Sequence, residues 1–342
     1  MADGLTTPLR QTVVRVARLP VGVPLETDFV VSSEPVPEPA EGEFLARSVY
    51  LSLDPHLRGR LSGRHLGPAV TPGDVMPGHS LAQVAKSRHP GFREGEYVVL
   101  DNGWAEWAVS TGRGARRVDP SLGPLSTSLG VLGMPGLTAW AGVSEIVRLR
   151  PGDTFLVSAA AGPVGATAGQ LARIAGCRAI GIAGSEEKCR HLKETFGFDE
   201  ALNYKAPDFA SSLRTACAPG VDAYFDNVGG PLLESALSVL AIGGAVVMCG
   251  LISQYNAEGR PPGLNLGLAI AKRARLLSLV VYDHEDKYDA YLRRASDWVR
   301  SGRLRYLEDR AFGLAAAPAA FARLMRGDNV GKSLVVVGAE RA

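Results

Sequence analysis

The stretch Thr154-Phe-Leu-Val-Ser-Ala-Ala-Ala-Gly-Pro-Val-Gly-Ala-Thr-Ala-Gly-Gln-Leu-Ala172 constrains the fold more than any other part of the chain. It opens with an apolar run, Phe155 to Val157, short enough for a buried strand. Gly162, Gly165 and Gly169 follow, and then Val164, Ala168, Leu171, Ala172 and Ala175 recur at helical spacing. A strand, a tight glycine turn and a helix form the first unit of a dinucleotide-binding fold. The turn lets backbone N–H groups and the helix N-terminus meet a pyrophosphate, where the helix dipole favours negative charge. Gly169 is expected to let the helix lie close to the sheet. The plain alternative is an ordinary strand–turn–helix with no ligand.

The next segment of the chain speaks against that alternative. Arg178 to Ile182 reads as a second short strand, running on into Ala183-Gly184-Ser185. In NAD-binding folds an acidic residue at this strand end usually bonds the ribose 2′-OH. Here the acids come later, at Glu186 and Glu187, in the first turn of the next helix, with Lys188 and Arg190 nearby. A hydroxyl at Ser185 and a cation at Lys188 suit a 2′-phosphate, so the cofactor is expected to be NADP(H) rather than NAD(H). The other reading of Lys188 is a solvated helix charge.

At 342 residues the chain suits two domains with ample core. Its net charge of +2 gives no reason to expect nucleic acid or an anionic membrane as partner. The cysteines, Cys177, Cys189, Cys217 and Cys249, show no Cys-x-x-Cys spacing, so neither a zinc knuckle nor a redox pair is expected. Scattered thiols point to a reducing, cytoplasmic setting. The opening Met1 to Pro8 lacks a basic region followed by an apolar one, so no signal peptide is expected. Two uncharged stretches could be taken for membrane spans. Pro120–Ser144 is broken by glycines and prolines. Ser235–Ala257 is broken at Gly243-Gly244, and reads as helix, turn and buried strand.

Short strand patterns at Gln11–Leu19, Glu43–Leu51, Leu81–Lys86 and Glu96–Leu100, separated by Pro and Gly clusters, predict a β-rich, barrel-like domain. From about Ser126 strands and helices alternate. Strands are expected at Phe155–Ser158, Ala179–Ile182, Ala201–Asn203, Ala223–Asp226, Ala245–Cys249 and Leu276–Val281, which fits an α/β, doubly wound parallel (Rossmann) sheet. A return segment after about Leu304 ends in Gly331-Lys-Ser-Leu-Val-Val-Val337.

Eight motifs now carry a resemblance. They are Leu53-Asp-Pro-His-Leu-Arg-Gly-Arg60, Met134-Pro-Gly-Leu-Thr-Ala139, Ala159-Ala-Ala-Gly-Pro-Val-Gly165, Gly184-Ser-Glu-Glu-Lys188, Asn203-Tyr-Lys205, Tyr224-Phe-Asp-Asn-Val-Gly-Gly230, Cys249-Gly-Leu-Ile-Ser-Gln-Tyr-Asn256 and Gly327-Asp-Asn-Val-Gly-Lys332. In this order they resemble the zinc-independent medium-chain dehydrogenases/reductases. Within that superfamily they resemble the NADP-dependent alkenal/one reductases, which include prostaglandin reductases and plant double-bond reductases. The resemblance implies a GroES-like catalytic domain built from residues 1–125 and 305–342, with a Rossmann NADP-binding domain at 126–304 between them. It also implies a homodimer, and NADPH-dependent reduction of the C=C bond of α,β-unsaturated aldehydes or ketones. The alternatives are a quinone oxidoreductase on the same fold, or a non-catalytic NADPH-binding protein.

The resemblance also implies residue roles. Gly162, Pro163, Val164 and Gly165 would hold the pyrophosphate, and Ser185, Lys188 and Tyr204 the 2′-phosphate; Tyr204 otherwise reads as a half-buried strand-end tyrosine. Asn227 would touch the cofactor, or else serve turn chemistry before Gly229-Gly230. Cys249, Gly250, Ile252, Ser253 and Tyr255 would run along the nicotinamide half, with Val280 and Asn329 as further contacts. Tyr255 is the candidate for chemistry. As hydride reaches the β-carbon, charge builds on the carbonyl oxygen, and a neutral hydroxyl aimed there stabilises it. In the other reading Tyr255 only shapes the pocket while a ribose hydroxyl or water donates. His56 and Trp140, expected to line the substrate pocket, each replace a usual family tyrosine. No metal is expected. His79, in Pro-Gly-His-Ser80, lacks the neighbouring acid and the cysteine that a catalytic zinc would need.

Overall fold

The structure is a computed structural model that describes residues 9–63, 67–259, 263 and 265–341. The amino-terminal octapeptide, in which no signal peptide is expected, lies outside these residues. The chain forms two compact units. One comprises Met1–Ser121, Arg310–Asp328 and Ser333–Ala342; the other comprises Leu122–Asp309 and Asn329–Lys332. The chain therefore leaves the first unit near residue 121, and Asn329–Lys332 belongs to the second unit although its flanking segments do not.

The first unit is built around the strand Phe44–Ser52, buried at every residue. It pairs antiparallel with His79–Ser87, Trp107–Ser110 and Lys332–Val336. Tyr97–Asp101 and Arg116–Val118 extend the sheet on one side and Glu308–Phe312 on the other. A separate antiparallel pair joins Arg10–Val16 to Phe29–Pro35. The first of these strands stops at Val16, short of the Leu19 expected from sequence, because Ala17 and Arg18 both turn to donate to the Asp28 carbonyl. The Phe29–Pro35 strand was not read from the sequence.

The second unit holds a six-stranded parallel sheet. Its strands are β1 (Thr154–Val157), β2 (Arg178–Ala183), β3 (Glu200–Asn203), β4 (Val221–Asp226), β5 (Leu240–Met248) and β6 (Arg275–Ser278), in the spatial order 3-2-1-4-5-6. Every pairing is parallel. Alternate residues feed two cores. Phe155, Val157, Ala223, Phe225 and Val247 pack on one face, and Leu156, Ile180, Tyr224 and Val246 on the other. Burial on both faces explains why these strands read as continuous apolar runs. β5 begins at Leu240, so Gly243-Gly244 lies inside the strand, beside a register shift against β4, rather than in a turn before it. β6 ends at Ser278 and not at Val281, since the chain enters a 3₁₀ turn at Val281–Lys287. Among the described residues no helix is long and apolar enough to cross a membrane.

The helix after β1 is α1 (Pro163–Ile174), and the helix after β2 is α2 (Glu186–Glu194). Gly169 of α1 serves a different contact from the one expected. A Cβ there would sit 1.9 Å from Cζ of Phe198, and a Cβ on Gly181 of β2 would sit 3.0 Å from the same ring. Phe198 is therefore a wedge between helix and sheet, and the glycines make room for it. Gly169→Ala should overpack this wedge and destabilise the protein by about 1–3 kcal/mol. Urea unfolding would read this directly, and an unchanged midpoint would mean that Phe198 moves aside freely.

Candidate cofactor and active site

In a doubly wound sheet the order 3-2-1-4-5-6 reverses direction between β1 and β4, and ligands bind outside the carboxyl ends of the strands there. The glycine turn follows β1 at that place. Ala159 takes a left-handed backbone at φ +47°, a conformation that side chains seldom adopt. A Cβ on Gly165 would lie 2.5 Å from the Ala159 carbonyl oxygen, so only glycine lets α1 begin so close to its own turn. Gly162 is the N-cap of α1 and has no side-chain cap; Pro163 follows at the first helical position. Ala166 already donates to the Gly162 carbonyl. The amides of Val164 and Gly165, in the first turn, have no intrahelical acceptor. A Cβ built on Gly162 would meet nothing closer than the Ala159 carbonyl, at 3.4 Å. Open space over an uncapped helix N-terminus fits a diphosphate.

The next corner is made by the ends of β2 and β3, which pair Asn203 with Ala183. Ser185 caps α2, its hydroxyl accepting from the Lys188 amide at 3.3 Å. The Tyr204 amide donates to the Ala183 carbonyl at 3.0 Å. The Tyr204 side chain is 47% exposed and runs beside Gly184, 3.1 Å from where a Cβ would be. Glu186, the first acid of α2, accepts from the Asn203 side-chain amide at 2.8 Å. The structure thus brings Ser185, the first turn of α2 with Lys188, and Tyr204 to one corner, where the Glu186 carboxylate is engaged by Asn203. These residues fit a 2′-phosphate.

The carboxyl ends of β4 and β5 are organised by Asp226, which is fully buried. One of its oxygens accepts from the Tyr224 hydroxyl (2.8 Å), the Ser158 hydroxyl (3.2 Å) and the amides of Val228 and Gly229 (3.0 Å each). The Asp226 backbone carbonyl accepts from Cys249 and Gly250. Asn227 donates from its side chain to the Ser158 carbonyl and from its backbone amide to the Ser158 hydroxyl oxygen. Its side chain therefore ties β4 to β1. The short helix Ile252–Tyr255 is held to the same loop. Ile252 donates to the Asn227 carbonyl, and Ser253 donates to the Val228 carbonyl from its amide and, at 2.6 Å, from its hydroxyl. Burial pushes the Tyr255 hydroxyl above the ordinary phenol range, opposed by the Leu251 amide, which donates to it at 3.5 Å. Burial, and the Asp226 charge after it, push the Cys249 thiol up to about 12. Val280 follows the end of β6 in extended backbone.

Asn329–Lys332 closes the glycine turn from its other side. Gly331 donates to the Ala161 carbonyl at 3.0 Å, and the Asn329 side chain donates to the Gly331 carbonyl. Gly331 has φ +75°, and a Cβ there would meet the Leu307 carbonyl oxygen at 2.1 Å. Trp140 lies in the helix Met134–Trp140 and packs into the second unit's core, 6.1 Å from the ring of Tyr291. His56 belongs to the first unit, where it begins the helix Leu57–Leu61. Among the described residues no group of three or more His, Cys, Asp or Glu is placed to hold a metal ion. Sequence reasoning assigned no role to Asp226, Ser158 or Phe198. Asp226 stood within a motif already singled out, between two aromatic residues and Asn227, and a carboxylate inside an apolar strand end was the available signal.

Comparison with known proteins covers almost the whole chain. Residues 163–297 match the family described as zinc-binding dehydrogenase, and residues 12–118 match the N-terminal domain of oxidoreductase. The NADPH-dependent curcumin reductase of Escherichia coli (strain K12) is 39% identical over 331 residues, 95% of this chain and 96% of that protein. The NADP(+)-dependent 2-alkenal reductase of Nicotiana tabacum is 38% identical over 328 residues, 93% of this chain and 95% of that protein. The crystal structure of CurA in complex with NADPH from Vibrio vulnificus superposes with a TM-score of 0.90 at 39% identity, covering 96% of this chain and 99% of that one.

Proposed function

We propose, from the premise that the chain belongs to the NADP-dependent alkenal/one reductases of the medium-chain dehydrogenase/reductase superfamily, that it reduces the C=C bond of α,β-unsaturated aldehydes or ketones with NADPH. Gly162, Pro163, Val164 and Gly165 bind the diphosphate through the uncapped start of α1. Ser185, Lys188 and Tyr204 receive the 2′-phosphate. When bound, the reduced nicotinamide supplies a hydride to the β-carbon of the activated double bond.

The observation that carries the chemistry is Tyr255. Its hydroxyl lies on the segment that follows β5 and is held protonated by burial. It donates to the substrate carbonyl oxygen as negative charge builds there, and protonation of the α-carbon completes the reduction. The neutral Cys249 thiol nearby places no second anion against that charge. Ser253, Ile252 and Gly250 hold the Tyr255 segment to the loop after β4. Cys249, Val280, Asn227 and Asn329 complete the cofactor site in this reading, and His56 and Trp140 tune the substrate pocket.

The homodimer and the cytoplasmic location come from the family. The homodimer is further supported by the terminal position of β6 in its sheet, and by Ile270 and Ile242, exposed near that edge at 77% and 65%.

The test is loss of reduced-nicotinamide absorbance with a panel: a medium-chain 2-alkenal, an aryl enone, a 15-oxo-prostaglandin and a quinone, with NADH as control. Saturable turnover of the enal or enones, with NADPH preferred, is the expected result. Turnover of the quinone alone, or tight NADPH binding with no turnover of any acceptor, would overturn the reading.

A further inference from the structure

The corner at the end of β2 holds Lys205, a cation other than the Lys188 of α2. A Cβ built on Gly184 would lie 3.1 Å from Cε1 and 3.4 Å from Oη of Tyr204, and 3.6 Å from Cε of Lys205. Tyr204 and Lys205 thus arch over the same glycine, and Lys205 Nζ stands 5.8 Å from the Tyr204 ring centroid. Both side chains are exposed. An exposed ammonium beside an aromatic face gains little from the ring alone.

Asn203 fixes this arrangement from both ends of its side chain. Its amide oxygen accepts from the Lys205 backbone N–H at 3.0 Å, which sets the direction in which the chain leaves β3. Its NH₂ donates to Glu186, the acid nearest the corner, at 2.8 Å. One neutral side chain therefore orients the turn that carries Lys205 and engages the carboxylate that would compete with an incoming anion.

We propose that Lys205 is a specificity-determining residue of the cofactor site, supplying positive charge to the 2′-phosphomonoester of NADPH, with Asn203 as the residue that positions it. The inference rests on the NADPH reading of this site. A dianion at this corner gains from a second cation, whereas a cofactor bearing only a 2′-hydroxyl gains almost nothing from it. Lys205 therefore acts on the choice between the two cofactors rather than on the rate of hydride transfer.

The experiment is calorimetric titration of the full chain with 2′,5′-ADP (adenosine 2′,5′-bisphosphate) and with 5′-AMP, fragments that differ only in the 2′-phosphate. Wild-type protein should prefer 2′,5′-ADP. Lys205→Met should lose roughly tenfold in affinity for 2′,5′-ADP and leave that for 5′-AMP unchanged; Lys205→Arg should retain the preference. Asn203→Ala should shift the ratio in the same direction by a smaller factor. A wild-type preference that survives intact in Lys205→Met, or an equal loss for both fragments, would overturn the proposal and leave the NADPH reading standing. A wild-type protein that does not distinguish the fragments would overturn the NADPH reading itself, and this proposal with it.

Discussion

Replacing Tyr255 by Phe lowers the turnover of an enone by about 10²-fold, while affinity for NADPH stays within about twofold of wild type. The substitution removes one hydroxyl and keeps the ring, so the Ile252–Tyr255 turn retains its bonds to Asn227 and Val228. What is lost is a donor used only when charge builds on the substrate oxygen, and such a loss falls on kcat and kcat/KM together. The pH profile of the wild type depends on the same group. Burial raises the Tyr255 pKa, so the donating, protonated form persists through neutral and mildly alkaline solution. Its loss should appear only above about pH 10, the ordinary phenol value. In Tyr255→Phe that alkaline limb should vanish. Unchanged turnover in the variant would remove Tyr255 from the mechanism.

Replacing Asp226 by Ala has the largest expected effect on stability. The carboxylate is buried and one of its oxygens gathers the Tyr224 and Ser158 hydroxyls and the amides of Val228 and Gly229. Alanine leaves these donors facing a cavity. Each buried unsatisfied donor costs about 1–3 kcal/mol. Even with partial relaxation the melting temperature should fall by about 10 °C. Tyr224 cannot escape by ionising, because burial, the larger cause of its raised pKa, remains when the Asp226 charge is gone. Asp226→Asn should cost less, since its amide oxygen still accepts. The loop after β4 also anchors the Tyr255 segment, so Asp226→Ala should lose activity before it melts. A melting point within about 2 °C of wild type would show that the four donors find water.

Sequence reading recovered what physical periodicity marks. The four inner strands, β1, β2, β4 and β5, overlap their expected positions because burial on both faces leaves apolar runs, while the edge strands β3 and β6 were found from their place in the alternation of strand and helix. The end of β6 was less legible. Leu279, Val280 and Val281 continue the apolar run, yet the chain leaves the sheet at Ser278. Phe29–Pro35 escaped notice for the opposite reason, since Val30 and Val31 are exposed and the pattern carries no alternation. At the site, glycines and the missing acid at Ala183-Gly184-Ser185 were readable because they are local. Asp226 was not, since a carboxylate is ordinarily a surface group, and only the fold brings the Ser158 hydroxyl from the end of β1 to join its three local donors. Trp140 illustrates the same limit. The family pattern marks it as a replaced tyrosine, but only the structure shows Tyr291 packed beside it.

The strip Asn329–Lys332 has a consequence for inheritance and engineering. The two units are stitched together by four chain crossings, after residues 121, 309, 328 and 332. A nucleotide-binding module cut from this protein as one continuous length of sequence would lack Gly331, and the Ala161 carbonyl at the phosphate turn would lose its donor. Chimeras between relatives therefore have to exchange the tetrapeptide together with the distant sheet that it serves. Recombination that respects only the boundaries of the six strands would pair one parent's turn with the other parent's latch.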